Sequence, residues 1–169
     1  MLRTRLTCLL ALVSLLLGSC SAEKGPKGPP TPKTTKVGGV LLFDGKPAPR
    51  GFVELKLYEK GHEPTPTQMI PKCMVGENGK YQFSSYGDAD GAVPGEYVLS
   101  IEWLKVGPGA LFGPDKLLNN FNSPSNDDPR FQVTVVEGKP VEIPTIDIKT
   151  SELKQVKAHP FASRPGKRK

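Results

Sequence analysis

The sequence predicts an all-β fold, a Greek-key sandwich of about seven short antiparallel strands of the transthyretin-like or immunoglobulin-like kind, and three observations carry that expectation. Apolar and polar residues alternate over 52–58 and 97–103, the period-2 pattern of strands with one buried face. Glycine, proline and asparagine clusters recur about every ten residues, the spacing of turns in an all-β domain. No run shows a convincing 3.6-residue repeat, and only 151–159 is weakly helical.

The elements follow in order. Val40-Leu41-Leu42-Phe43 reads as a buried strand ended by the turn cluster Asp44-Gly45-Lys46-Pro47. From Phe52 to Tyr58, Val53, Leu55 and Leu57 share one face while Glu54 and Lys56 share the other, as in a half-buried antiparallel strand. Residues 62–71 form a proline-bearing loop, and Cys73-Met74-Val75 a short strand. Asn78-Gly79 lies between that strand and Tyr81-Gln82-Phe83 and predicts a hairpin, because Asn-Gly tolerates the positive φ of a type I′ turn. Val93-Pro94-Gly95-Glu96 leads into the central strand, with Tyr97, Leu99, Ile101 and Trp103 inward. Residues 107–130 hold four prolines and predict a long irregular loop, either functional or poorly ordered. Phe131, Val133 and Val135 alternate again, and Glu137-Gly138-Lys139-Pro140 turns the chain into residues 141–148. There the apolar parity slips at Pro144-Thr145, which calls for a bulge, and the proline suits an edge strand.

Ahead of this domain, Arg3 and Arg5 precede a twelve-residue apolar run and the small pair Gly18-Ser19, the layout of a secretory signal peptide. The run falls well short of the roughly 20 apolar residues that a spanning helix needs. Leu17-Gly18-Ser19-Cys20 resembles the bacterial lipobox. By that resemblance Cys20 is thioether-linked to diacylglycerol, becomes the new N-terminus and places the protein on an exported membrane face, outer membrane or periplasm-facing. An ordinary signal peptide cut nearby is the alternative. Residues 21–36 contain four prolines and no large apolar side chain, so they are expected to be an extended tether reaching up to roughly 50 Å. The expected organisation is therefore a leader at 1–19, a lipid-anchored linker at 20–36, a sandwich at 37–148 and a disordered basic tail at 149–169.

Charge follows the same partition. The net charge of +6 resides in the ends, since residues 37–148 carry ten basic and fifteen acidic side chains. Nucleic-acid binding wants cations on a folded face with aromatics among them, and it is not expected here. A basic tail on an anchored protein would instead face anionic headgroups or another envelope polyanion, or simply stay solvated. With Cys8 lost in the leader and Cys20 acylated, Cys73 has no disulfide partner and reads as a buried, inert thiol.

Gly39 to Pro47, then Glu77-Asn78-Gly79-Lys80-Tyr81-Gln82-Phe83, then Val93-Pro94-Gly95-Glu96-Tyr97-Val98-Leu99 resemble the carboxypeptidase regulatory-like, or transthyretin-like, β-sandwich. The pieces around 116–124, 131–135 and 137–138 are similar to small planctomycete lipoproteins of that type. The resemblance implies a fold more than an activity. The superfamily's purine-pathway hydrolase relies on histidines, an arginine and a C-terminal Tyr-Arg-Gly-Ser, a pattern this chain lacks.

No catalytic residues, metal ligands or cofactor are expected. His62 and His159 lie far apart without a third ligand. Asp88-Ala89-Asp90-Gly91 begins like a calcium loop but has Tyr97 where the closing glutamate belongs. An intramolecular Lys–Asn crosslink stays open on composition alone. The polar cluster Asn119, Asn120, Asn122, Asn126, Asp127 and Asp128 is the candidate ligand site, able to hydrogen-bond sugar hydroxyls, with Trp103 or Tyr86 as a stacking platform; core packing is the competing role for Trp103. The expected function is a non-catalytic, lipid-anchored envelope protein acting in structure or interaction, with an envelope protein or polysaccharide as partner. Binding of a carbohydrate or other small ligand through residues 107–130 is the alternative.

Overall fold

The structure, a computed structural model, describes residues 30–105, 114–154 and 156–157. Leu17, Gly18, Ser19, Cys20, most of the linker and His159 lie outside them, and the packed unit begins at Thr31. Among the described residues there are eight strands: β1 (Val37–Phe43), β2 (Lys46–Pro47), β3 (Val53–Glu59), β4 (Lys72–Met74), β5 (Lys80–Gln82), β6 (Gly95–Trp103), β7 (Gln132–Val135) and β8 (Val141–Ile148). The chain is all-β and two-layered, as its alternation predicts. No helix among the described residues is long and apolar enough to cross a membrane.

In the first sheet β1 is central, with β8 along one side and β2 and β5 sharing the other. The second sheet runs β4-β3-β6-β7, antiparallel throughout. One pairing departs from the expected antiparallel order: β8 runs parallel to β1. A parallel neighbour needs a long crossover, and the whole intervening domain supplies it. The tight turn after β7, closed by the Val136–Lys139 bridge, sends β8 across to the first sheet in the direction β1 already has. The expected bulge is present. Gly39 pairs with Ile143 and Leu41 with Ile146, so Pro144-Thr145 supply one residue too many opposite Val40.

The Asn-Gly hairpin forms only at its ends. Asn78 and Gly79 take φ of 55° and 73°, and the Gly76 N–H donates to the Lys80 carbonyl at 2.7 Å. Lys72 and Ser84 exchange two backbone bonds at 3.0 Å. Between these points the arms part company. β4 pairs with β3 in one sheet and β5 with β1 in the other, so the hairpin stitches one side of the sandwich shut.

Leu55, Leu99, Ile101 and Leu41 have no accessible surface, and Phe83 and Phe131 fill the space between the sheets. The central strand keeps its odd residues inward as expected, but its even residues are also shielded: Val98, Ser100 and Glu102 are all buried. Glu102 lies opposite Glu54, and Lys56 reaches both carboxylates, at 3.9 and 2.9 Å. Burial is the largest influence on Lys56 and opposes its charge, yet the bond to Glu54 and the charges of Glu54, Tyr58 and Glu102 together outweigh it and the ammonium pKa is raised. Trp103 is half-buried and stacks on Phe43 with centroids 4.5 Å apart, the packing role rather than an exposed platform.

Two boundaries shift. Thr35 is buried and bridges Ala92, so the fold begins ahead of residue 37. Residues 149–154 and 156–157, expected to start a disordered tail, are held against residues 119–130 by hydrogen bonds. The stretch expected to be an irregular loop is also structured in its described part, 114–130. β7 pairs with β6 only from Gly95 to Val98; beyond that, Ile101 donates to Phe121 and Trp103 accepts from Lys116, at 2.8 and 3.0 Å. Leu117 and Phe121 are buried because this segment completes the edge of β6.

Candidate functional site

The six polar residues singled out from the sequence divide into two groups. Asn119, Asn120 and Asn122 gather around Asp115. One Asp115 oxygen accepts from the Trp103 and Leu117 N–H groups at 2.9 Å each, and the other accepts from the Asn119 N–H at 3.1 Å. Burial pushes the carboxyl pKa up against the pull of those three donors. Leu118 and Asn119 are left-handed, with φ of 55° and 63°, which swings consecutive side chains toward the C-terminal segment. Asn122 Nδ2 donates to Asn119 Oδ1 at 3.0 Å, so Asn119 turns its own Nδ2 outward, to the Val156 carbonyl. Asn120 Nδ2 reaches the Leu117 and Lys154 carbonyls, each at 2.7 Å, while its Oδ1 accepts from the Lys154 N–H at 3.0 Å. Asn119 and Asn120, read from sequence as sugar ligands, are thus engaged by backbone, and Asn122 by the Asn119 side chain.

Asn126, Asp127 and Asp128 form the other group. Asp128 caps the short 3-10 turn Pro129–Phe131 by accepting from the Arg130 N–H, and grips the Arg130 guanidinium at 2.8 and 3.0 Å. Hydrogen bonds donated by Arg130 to Asp128 and then to Glu152 raise the Arg130 pKa, and the bond to Asp128 lowers that of Asp128. Asn126 and Asp127 line a groove of about 420 Å³ between residues 60–63 and 124–129, with Val98 and Gln132 also in its wall. His62 and Glu63 face it from the opposite loop, a proximity that sequence separation concealed. Gln132 Nε2 donates to the Asn126 carbonyl at 2.7 Å, and its buried Oε1 has no hydrogen-bond partner among the described residues. The groove suits hydrogen bonding to a small polar molecule.

The remaining candidates are accounted for by local structure. Burial first, and then the Glu54 charge, push the Cys73 thiol up to about 12, so it stays protonated at neutral pH. Asp90 accepts from the Ser85, Tyr86 and Gly87 N–H groups at 2.7, 3.1 and 2.9 Å, and this closes the acidic turn on itself. Burial would raise its carboxyl, but those donors outweigh it and hold the pKa below the ordinary value. No group of three or more His, Cys, Asp or Glu side chains among the described residues is placed to hold a metal ion. A wider, open concavity of about 790 Å³ crosses the outer face of β1 and β5, over Gly38, Val40 and Lys80, and contains none of the candidates named from sequence.

No family model matches the chain, and no curated protein matches it. Among solved structures, a 9R-lipoxygenase from Cyanothece PCC8801 matches at 17% identity and a TM-score of 0.35. The match covers 75% of this chain and 18% of the lipoxygenase, and nothing about activity follows from it.

Proposed function

We propose that this chain is an exported, lipid-anchored, non-catalytic β-sandwich protein with a structural or interaction role in the cell envelope. The single observation that supports it is the order of signals along the chain. A short apolar leader ends at Leu17-Gly18-Ser19-Cys20, a proline-rich tether follows, and the first strand of the sandwich begins at Val37. Such an order fits a domain held off a bilayer by acylation of Cys20. Intact-mass analysis of protein recovered from membranes tests it. Wild type is expected to carry a diacylglycerol adduct and to partition into detergent, and Cys20→Ala to remain unmodified and aqueous. An unmodified wild type would remove the anchoring reading.

A second reading is favoured by the groove that holds Asn126 and Asp127 opposite His62. There the protein binds a small polyhydroxylated ligand. Screened against an oligosaccharide array, wild type is expected to retain at least one sugar that an Asn126→Ala/Asp127→Ala variant binds roughly tenfold less well, the effect of losing two polar contacts. An array on which both proteins score alike would eliminate it.

A further inference from the structure

Asn119 and Asn120 hold the chain's own C-terminal segment in a way that reads peptide backbone. Asn120 uses both ends of its carboxamide on one residue, accepting from the Lys154 N–H at 3.0 Å and donating to the Lys154 carbonyl at 2.7 Å. Two residues on, Asn119 Nδ2 donates to the Val156 carbonyl at 3.0 Å, while the Leu118 carbonyl accepts from the Val156 N–H at 3.3 Å. Pairing of N–H and C=O at alternate residues is how one strand recognises another, so the clamp presents a strand-like edge made largely of side chains.

The clamp is set independently of what it holds. Asp115 fixes the backbone of Leu117 and Asn119, Asn122 orients the Asn119 amide, and the Leu117 carbonyl anchors the Asn120 amide. The held segment, by contrast, lies on the surface: Lys154, Val156 and Lys157 are exposed, and Leu153 is its one half-buried apolar anchor. The residues just ahead of it are tied to the fold at the surface, by the Glu152–Arg130 pair at 2.9 Å, the Thr150 N–H bond to Asp44 Oδ1 at 3.0 Å and the Lys149–Asp147 pair. A preorganised receptor with a weakly committed occupant is built for exchange.

We propose that Leu118–Asn120 is a peptide-backbone clamp, filled in cis by Leu153, Lys154 and Val156, which exchanges that segment for an extended peptide of another protein chain carrying an aliphatic anchor where Leu153 sits. The proposal goes beyond anchoring and stands on recombinant protein whether or not Cys20 is acylated. The tethered segment competes at high effective concentration, so trans binding is expected to be weak in wild type and stronger once the segment is disabled.

The test uses the full chain with Lys154→Pro and Val156→Pro, which deletes the two N–H donors and leaves the clamp intact. Near-ultraviolet circular dichroism of Trp103 checks the fold. A fluorescent synthetic peptide with the sequence of residues 150–157, TSELKQVK, is titrated into this variant, into wild type, and into the variant with Asn120→Ala added. The expected order of affinity is variant above wild type, with Asn120→Ala costing roughly tenfold. A peptide N-methylated at its lysine corresponding to Lys154 is expected to lose a similar factor, since methylation removes the N–H that Asn120 reads. Absence of binding to the folded double-proline variant, or equal binding of the methylated peptide, or no effect of Asn120→Ala, would each overturn the proposal. Should the proline pair unfold the domain, Leu153→Ala in the full chain replaces it with the same expected order and the same overturning outcomes.

Discussion

Gly91→Ala is expected to destabilise the domain by at least about 4 kcal/mol, at the upper end of what single substitutions do. Gly91 has φ of +90°, and a Cβ there would lie 1.8 Å from the Thr35 carbonyl oxygen and 2.7 Å from the Lys36 Cα. Every atom in the way belongs to backbone, so no rotamer change relieves the overlap. Separation of the two segments would break the paired bonds between Thr35 and Ala92, at 2.8 and 3.0 Å, and strain the adjoining Gly91 bond to Phe83 at 2.9 Å. Those bonds fasten the entry of β1 to the turn that precedes β6, so the damage reaches both sheets. Gly138→Ala is the matched control. It shares a positive φ of 71° but meets nothing within 4 Å, and its expected cost is about 1 kcal/mol of backbone strain. Urea denaturation of the two variants measures the difference; equal midpoints would mean that the Thr35–Gly91 contact yields without cost.

Asp115→Ala is expected to cost about 3 kcal/mol, because one truncation strips the acceptor from three backbone N–H groups at a largely shielded site. At roughly 4 °C per kcal/mol for a domain of this size, the thermal midpoint should fall by about 12 °C. Asp115→Asn is expected to lose less than half as much. Its carbonyl oxygen can still serve Trp103 and Leu117, while its amide opposes the Asn119 N–H. The pH dependence separates the charge from the geometry. The folded-state pKa of Asp115 is raised, so the group adds stability as pH falls through that value, and the Asn variant should lack this acid-side gain. A thermal midpoint unchanged in Asp115→Ala would show that residues 114–121 are held by Leu117 and Phe121 alone.

Strand faces were legible because alternation is a local property. Val53, Leu55 and Leu57 are buried, as are Tyr97, Leu99 and Ile101, and the parity slip at Pro144-Thr145 marks a bulge in the edge strand β8. The Asn78-Gly79 turn was legible for the same reason, as its backbone angles are set by two residues. The candidate site was less so. Asn and Asp residues in a cluster carry no sign of whether their donors and acceptors face solvent or backbone, and here Asn119 and Asn120 are committed to Val156 and Lys154, 37 and 34 residues away. The groove at Asn126 depends on His62 and Glu63 from a loop more than sixty positions earlier, a neighbour no local pattern reveals.

Alternation and turn chemistry by themselves determined an all-β chain, which residues face inward, and where the strands break. Only the tertiary structure decided that the arms of one hairpin join opposite sheets, that β8 lies parallel to β1, and that a segment read as a loose tail is clamped to the fold. The reason is physical: a period-2 pattern specifies a buried face, whereas the partner across that face is chosen by long-range packing and by the need to satisfy every buried backbone group.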